Sequence, residues 1–109
     1  MNVARHSHSS CILGTSIYVF CGEDENYMYS NCIERLYIGN VSESRIWELI
    51  NHPLDVFPPR ANILTVALND SEILIFGGHS ETAARQLVQC TQGIFILNSR
   101  SGDIATVKK

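Results

Sequence analysis

His6 and His8 are two residues apart, a spacing that puts both side chains on one face of an extended strand. Two imidazoles on one face could hold a metal, but a site needs three or four ligands. No carboxylate stands at metal-ligand spacing from them, and Cys11, Cys21, Cys32 and Cys90 lack the C-x-x-C pattern. A histidine held by a structural hydrogen bond is the preferred reading. Ser7, Ser9 and Ser10 lie beside the histidines, yet no Gly-x-Ser-x-Gly elbow is present to expose a nucleophile. Gly77-Gly78 does not run into a helix start at the spacing a phosphate loop needs. Cys21 and Cys90 read as small packing residues rather than reactive thiols. Cys21 and Cys32 flank one loop and could pair, although reduced thiols are the default without a secretory signal. The chain is therefore expected to be no enzyme, with no cofactor and no metal.

The residues better suited to binding lie in two long polar stretches, 23–31 and 79–91. The first carries Glu23, Asp24, Glu25, Tyr27 and Tyr29, and the second carries His79, Glu81 and Arg85. Tyrosine and arginine are enriched where interfaces concentrate their energy, and long loops on a rigid scaffold commonly carry the contacts. A simply solvated acidic loop is the competing reading of Glu23-Asp24-Glu25.

The elements holding these loops read as short strands. Residues 5–13 form a first strand, and Gly14-Thr15 a tight turn. Ser16 to Gly22 form a β-branched and aromatic second strand. Strands are expected over 32–38 and 45–50, then a connector over 51–59 whose Pro53, Pro58 and Pro59 cannot donate to a ladder. The plan then returns, with strands over 60–68, 71–77, 93–97 and 103–107. Ala83 to Val88 could instead form one helical turn inside the second long loop. Arg5 matches Arg60 at an offset of 55, and Ile17, Phe20 and Gly22 match Ile73, Phe76 and Gly78 at 56. Tyr37, Ile38, Asn40 and Ile46 map to Phe95, Ile96, Asn98 and Ile104 at 58. A repeat of this period with four strands signals a propeller blade.

Composition sets the outer bounds. The 109 residues suffice for one small domain, and 45% apolar content allows a packed core. A net charge of −3 argues against a nucleic-acid footprint. The polar start of the chain has no apolar signal region, and no run is long enough to span a membrane. A cytoplasmic protein is expected.

These residues together resemble the Kelch-repeat β-propeller family. The carriers are Arg5-x-x-His8, Ile17 to Gly22, Asn31 to Arg35 and Trp47 in the first unit. Pro59-Arg60 and Ile73 to Gly78 carry it in the second. The resemblance implies an all-β fold of two four-stranded antiparallel blades, residues 1–52 and 53–109, incomplete as a propeller in one chain. The first strand of each blade would lie nearest the central channel. Arg5, Gly22, Trp47, Arg60, Gly77 and Gly78 are the motif residues. Arg5 and Arg60 read as structural, satisfying loop carbonyls between blades, with a channel-facing ligand role as the alternative. Trp47 would pack between blades, with an exposed anchor as its alternative. The second unit departs from the pattern, with Ala105 opposite Trp47 and Ile63 opposite His8. The implied function is protein or peptide binding through the loops between second and third strands and between blades. Self-association could complete the propeller. The alternative is a fragment of a Kelch-like propeller enzyme, an oxidase or sugar-modifying enzyme.

Overall fold

The computed structural model describes residues 4–26, 28–39, 46–50, 52, 57–81, 87–88 and 93–108. The alternation of apolar and polar residues, punctuated by glycine and asparagine, gives ten strands among the described residues. They are β1 (Ser9–Leu13), β2 (Ser16–Phe20), β3 (Ile33–Tyr37), β4 (Trp47–Ile50), β5 (Leu64–Ala67), β6 (Glu72–Phe76), β7 (Ser80–Glu81), β8 (Leu87–Val88), β9 (Ile94–Asn98) and β10 (Ile104–Lys108). Two four-stranded antiparallel sheets result, in the orders β1-β2-β3-β4 and β10-β9-β6-β5. Each is a meander apart from β7 and β8, which pair with each other as a small hairpin. That hairpin corrects the reading of 79–91 as loop, and Leu87-Val88 are extended rather than helical. Residues 83–86 lie outside the described residues.

One face of each sheet is buried against the other. Leu13, Tyr18, Phe20 and Ile33 of the first sheet join Ile73, Ile75, Phe95 and Leu97 of the second in one cluster, with Phe57 and Ile63 from the connector. Phe20, Ile33, Ile73, Ile75 and Leu97 have no exposed surface. Full burial of one such side chain contributes roughly 1.5–3 kcal/mol. Where the first strands of the two sheets meet, the seam is polar. The Ser9 and Thr65 hydroxyls are 2.9 Å apart, and Thr65 also donates to the Ser10 carbonyl.

The repeat is written in the backbone as well as in the sequence. Ser7 and Asn62 share φ values of 55° and 57°, and Cys21 and Gly77 share 59° and 76°. Gly22 and Gly78, at 101° and 93°, follow them. A Cβ on Gly22 would sit 2.6 Å from the His6 carbonyl oxygen, and one on Gly78 would sit 2.7 Å from that of Ala61. The chain thus leaves the second strand directly under the segment that leads into the first, where only glycine fits. At Gly77 the same added atom meets nothing within 4 Å, which is why Cys21 can occupy the equivalent place.

The positive φ at Ser7 ends the pleat, so β1 begins at Ser9 rather than at residue 5. The ladders also correct the correspondence of the third and fourth strands. Val19 pairs with Glu34 and its counterpart Ile75 pairs with Phe95, so Phe95 stands in the place of Glu34, not of Tyr37. Leu36 pairs with Trp47 and its counterpart Leu97 pairs with Ile104, so Trp47 corresponds to Ile104, not to Ala105.

Chemical denaturation checks the glycine argument. Gly78→Ala should cost roughly 3 kcal/mol or more, because backbone strain and a clash with a carbonyl add. Gly77→Ala should cost only about 1–2 kcal/mol. Equal losses at the two positions would contradict the assignment.

Candidate functional site

In an antiparallel meander the connections sort by end. Residues 21–26, 28–32 and the segments around 60 and 79 lie at the same end of the two sheets. Isolated bridges knit them into a belt: His6 with Glu23, Glu23 with Tyr29, Ser30 with Arg60, and Ala61 with His79. Backbone bonds from Gly22 N to Arg60 O at 3.0 Å and from Arg60 N to Ser30 O at 3.2 Å carry the belt from one sheet to the other. The Asn31 side-chain amide adds bonds to the His52 and Phe57 carbonyls, fastening the connector.

The acidic run divides by role. Glu23 takes an ion-pair geometry with His6, Nε2 to Oε2 at 2.8 Å, at a half-exposed position. Asp24 Oδ1 accepts from the backbone N–H of Asn26 and Met28, so this carboxylate shapes the turn. Glu25 is exposed, as is Met28. Tyr29 and His79 are half-buried on the belt. Glu81 lies in β7, while Tyr27 and Arg85 lie outside the described residues. The fold therefore brings Glu23, Asp24, Glu25, Tyr29 and His79 to one end.

Ser7 separates His6 from His8, and the kink at its positive φ removes the shared strand face that a metal pair needs. Among the described residues no three His, Cys, Asp or Glu side chains are grouped to hold a metal. Cys11, Cys21 and Cys32 are free thiols. Burial pushes the Cys21 thiol up to about 12, against the opposing pull of Arg60 and Arg5, so it is a packing group.

The side chains of Arg5 and Arg60 each hydrogen-bond within their own unit. The Arg5 side chain is wholly buried. Its Nη1 donates to the Cys21 and Cys32 carbonyls at 3.1 and 2.8 Å, and its Nη2 to Glu34 Oε2 at 2.5 Å. All three acceptors belong to its own unit. Arg60 lies over Phe95, 4.7 Å from the ring centroid, and over Phe57 at 5.1 Å. Its Nε donates to the Pro58 carbonyl. Because Phe95 replaces Glu34, a cation–π contact stands where the first unit has an ion pair. Burial lowers the Arg60 pKa from its ordinary value, and its Nη1 has no hydrogen-bond partner among the described residues.

A cleft of about 470 Å³ opens between the sheets, lined by Arg35, Glu48, Leu49, Ile50, His52 and residues 100–103. Arg35 donates to both Glu48 carboxylate oxygens and to the Ser99 carbonyl, tying the first sheet to the second. Burial lowers the His52 pKa, with Asp103 opposing. Sequence reasoning missed this cleft, because its walls come from positions far apart in the chain. Trp47, expected between the sheets, lies half-buried in a row with Ile12, Ile17 and Leu36 on the face turned away from the second sheet.

No protein-family model and no curated protein matches the chain. Solved structures do match, 61 chains in all. The structure of YjhT superposes on 96% of this chain with a TM-score of 0.72 at 15% identity. The matched region is 28% of the YjhT chain, so the present sequence spans under a third of that structure. At this identity the likeness is one of fold.

Two measurements check the site. Glu34→Gln leaves the Arg5 guanidinium buried without its carboxylate and should cost roughly 3–5 kcal/mol in urea unfolding; a loss below about 1 kcal/mol would contradict a buried pair. His52 has a folded pKa below its unfolded value near 6.5. The unfolded state therefore binds more protons as pH falls through that value, and stability drops. His52→Asn should flatten the pH 7.5-to-5.5 stability profile relative to the wild type. Parallel profiles would remove His52 as a contributor.

Proposed function

We propose that the chain is two blades of a Kelch-type β-propeller and acts as a non-enzymatic binding module, engaging a protein or peptide through the belt end. The observation that carries this reading is the stacked repetition. Two four-stranded meanders share the same left-handed backbone positions, and their first strands lie side by side, as blades fanning from a common axis would have them. The fold likeness to a much longer chain supports membership in a larger array of such sheets.

The belt end favours binding over chemistry. Two of its carboxylates, Asp24 and Glu23, serve the turn and His6, while Glu25, Met28 and the half-buried Tyr29 and His79 present charge, an adaptable thioether and rings. The ordered bridges hold these groups in place, which lowers the entropy lost on association.

Affinity enrichment with quantitative mass spectrometry tests the reading. A Glu25→Arg/Met28→Asp variant should lose the proteins enriched by the wild type, whereas Asp70→Lys, at the opposite end, should keep them. Identical enrichment by both variants would remove the belt end as the binding surface.

A further inference from the structure

The two sheets pack through unlike faces, and each leaves its other face open. In the second sheet the buried face carries the row Ala67, Ile73, Leu97 and Ile104. Ile73 and Leu97 have no exposed surface there. The equivalent row of the first sheet is Ile12, Ile17, Leu36 and Trp47. It is apolar as well, but Ile12 is 64% exposed and the other three are only half-buried. The reverse holds on the opposite faces. Tyr18, Phe20 and Ile33 are buried in the first sheet, while their counterparts Leu74, Phe76 and Ile94 are half-exposed in the second. Val66 and Leu64, beside them on β5, are 48% and 59% exposed.

The open face of the first sheet is thus the counterpart of the surface by which the second sheet binds the first. The open face of the second sheet is the counterpart of the surface by which the first binds the second. Each open face continues the interface already present inside the chain, and the two are opposite halves of it. The substitutions at the open faces preserve or increase apolar character. Leu64 replaces Ser9, Val66 replaces Cys11 and Ile96 replaces Arg35, so the open face of the second sheet has fewer polar groups to desolvate than its buried counterpart. The half of the first sheet's open face that holds Val19 and Glu34 is already closed, with Arg5 paired to Glu34. Arg60 occupies the matching place against Phe95 inside the existing interface, so this cover is compatible with stacking.

We infer that a second copy of this chain docks head to tail, the open β5–β6–β9–β10 face of one copy on the open β1–β2–β3–β4 face of the next. The contact is heterologous, so it either closes into a ring or extends. It does not depend on the belt end being a binding surface.

Complementary single variants test it with the purified chain. Val66→Asp disables only the second sheet's face, and Ile12→Asp only the first sheet's. Both positions are exposed on edge strands, and circular dichroism checks that strand content is retained; Val66→Ser and Ile12→Ser serve if an aspartate perturbs folding. Light scattering over a concentration series should show the wild type associating. Each variant alone should associate at least about tenfold more weakly. The two variants mixed should form a 1:1 heterodimer and nothing larger, since one intact copy of each face remains. A folded wild type that stays monomeric at every concentration would overturn the proposal and leave these faces to a different partner. Association by one variant alone as strong as the wild type would also overturn it, because that is the mark of a face pairing with itself or of nonspecific aggregation.

Discussion

Everything in this molecule depends on the packing of one sheet's apolar face against the unlike face of the other. A four-stranded meander buries its backbone hydrogen bonds but leaves both faces to the solvent. Stacking Tyr18, Phe20 and Ile33 with Ile73, Ile75 and Leu97 removes one face of each from water and creates the only extensive core among the described residues. The polar seam at Ser9 and Thr65 and the reach of Arg35 to the Ser99 carbonyl set the relative position of the sheets without competing for that core. The belt and the inter-sheet cleft are both consequences of this placement.

The two arginines show how one scaffold tolerates different chemistry. Arg5 and Arg60 sit at equivalent places, yet one faces a carboxylate and the other an aromatic ring. A guanidinium is planar and cationic, and it can be satisfied by bidentate oxygens or by a π face. The first solution neutralises the buried charge. The second leaves more of it, in keeping with the lowered Arg60 pKa and an Nη1 that has no hydrogen-bond partner among the described residues. The units have therefore diverged in electrostatics while keeping the same backbone, down to the left-handed residues at Cys21 and Gly77.

Much of the fold was legible in the chain. The four-strand plan, its return and the tight turns at Gly14-Thr15 and Asn69-Asp70 follow from alternation and turn chemistry. The equivalence of Gly22 with Gly78 is readable because a steric demand fixes those residues, and that of Arg5 with Arg60 because the residue type returns at nearly the same offset. The later half of each unit was misaligned. Matching like with like joined Tyr37 to Phe95 and Trp47 to Ala105, whereas the ladders join Glu34 to Phe95 and Trp47 to Ile104. An acid and an aromatic ring share a position only because an arginine covers both, and a single sequence carries no trace of that. The β7–β8 hairpin escaped notice because two-residue strands have no measurable period. Of the proposed binding residues, Glu23, Tyr29 and His79 lie at one end of the sheets, but the use of Asp24 as a turn former and of Glu23 as the His6 partner is a matter of geometry.

The sequence by itself determined the elements: where strands run, where glycine is compulsory, and that the plan occurs twice. These are local properties, set by side-chain period and backbone sterics within a few residues. The tertiary structure alone decided which face of each sheet is buried, that Trp47 lies on an open face, that Arg35, His52 and Asp103 meet at one cleft, and that the two open faces are opposite halves of the internal interface. Those outcomes depend on how ladders align and how two twisted sheets stack, and both are fixed by contacts between residues far apart in the chain.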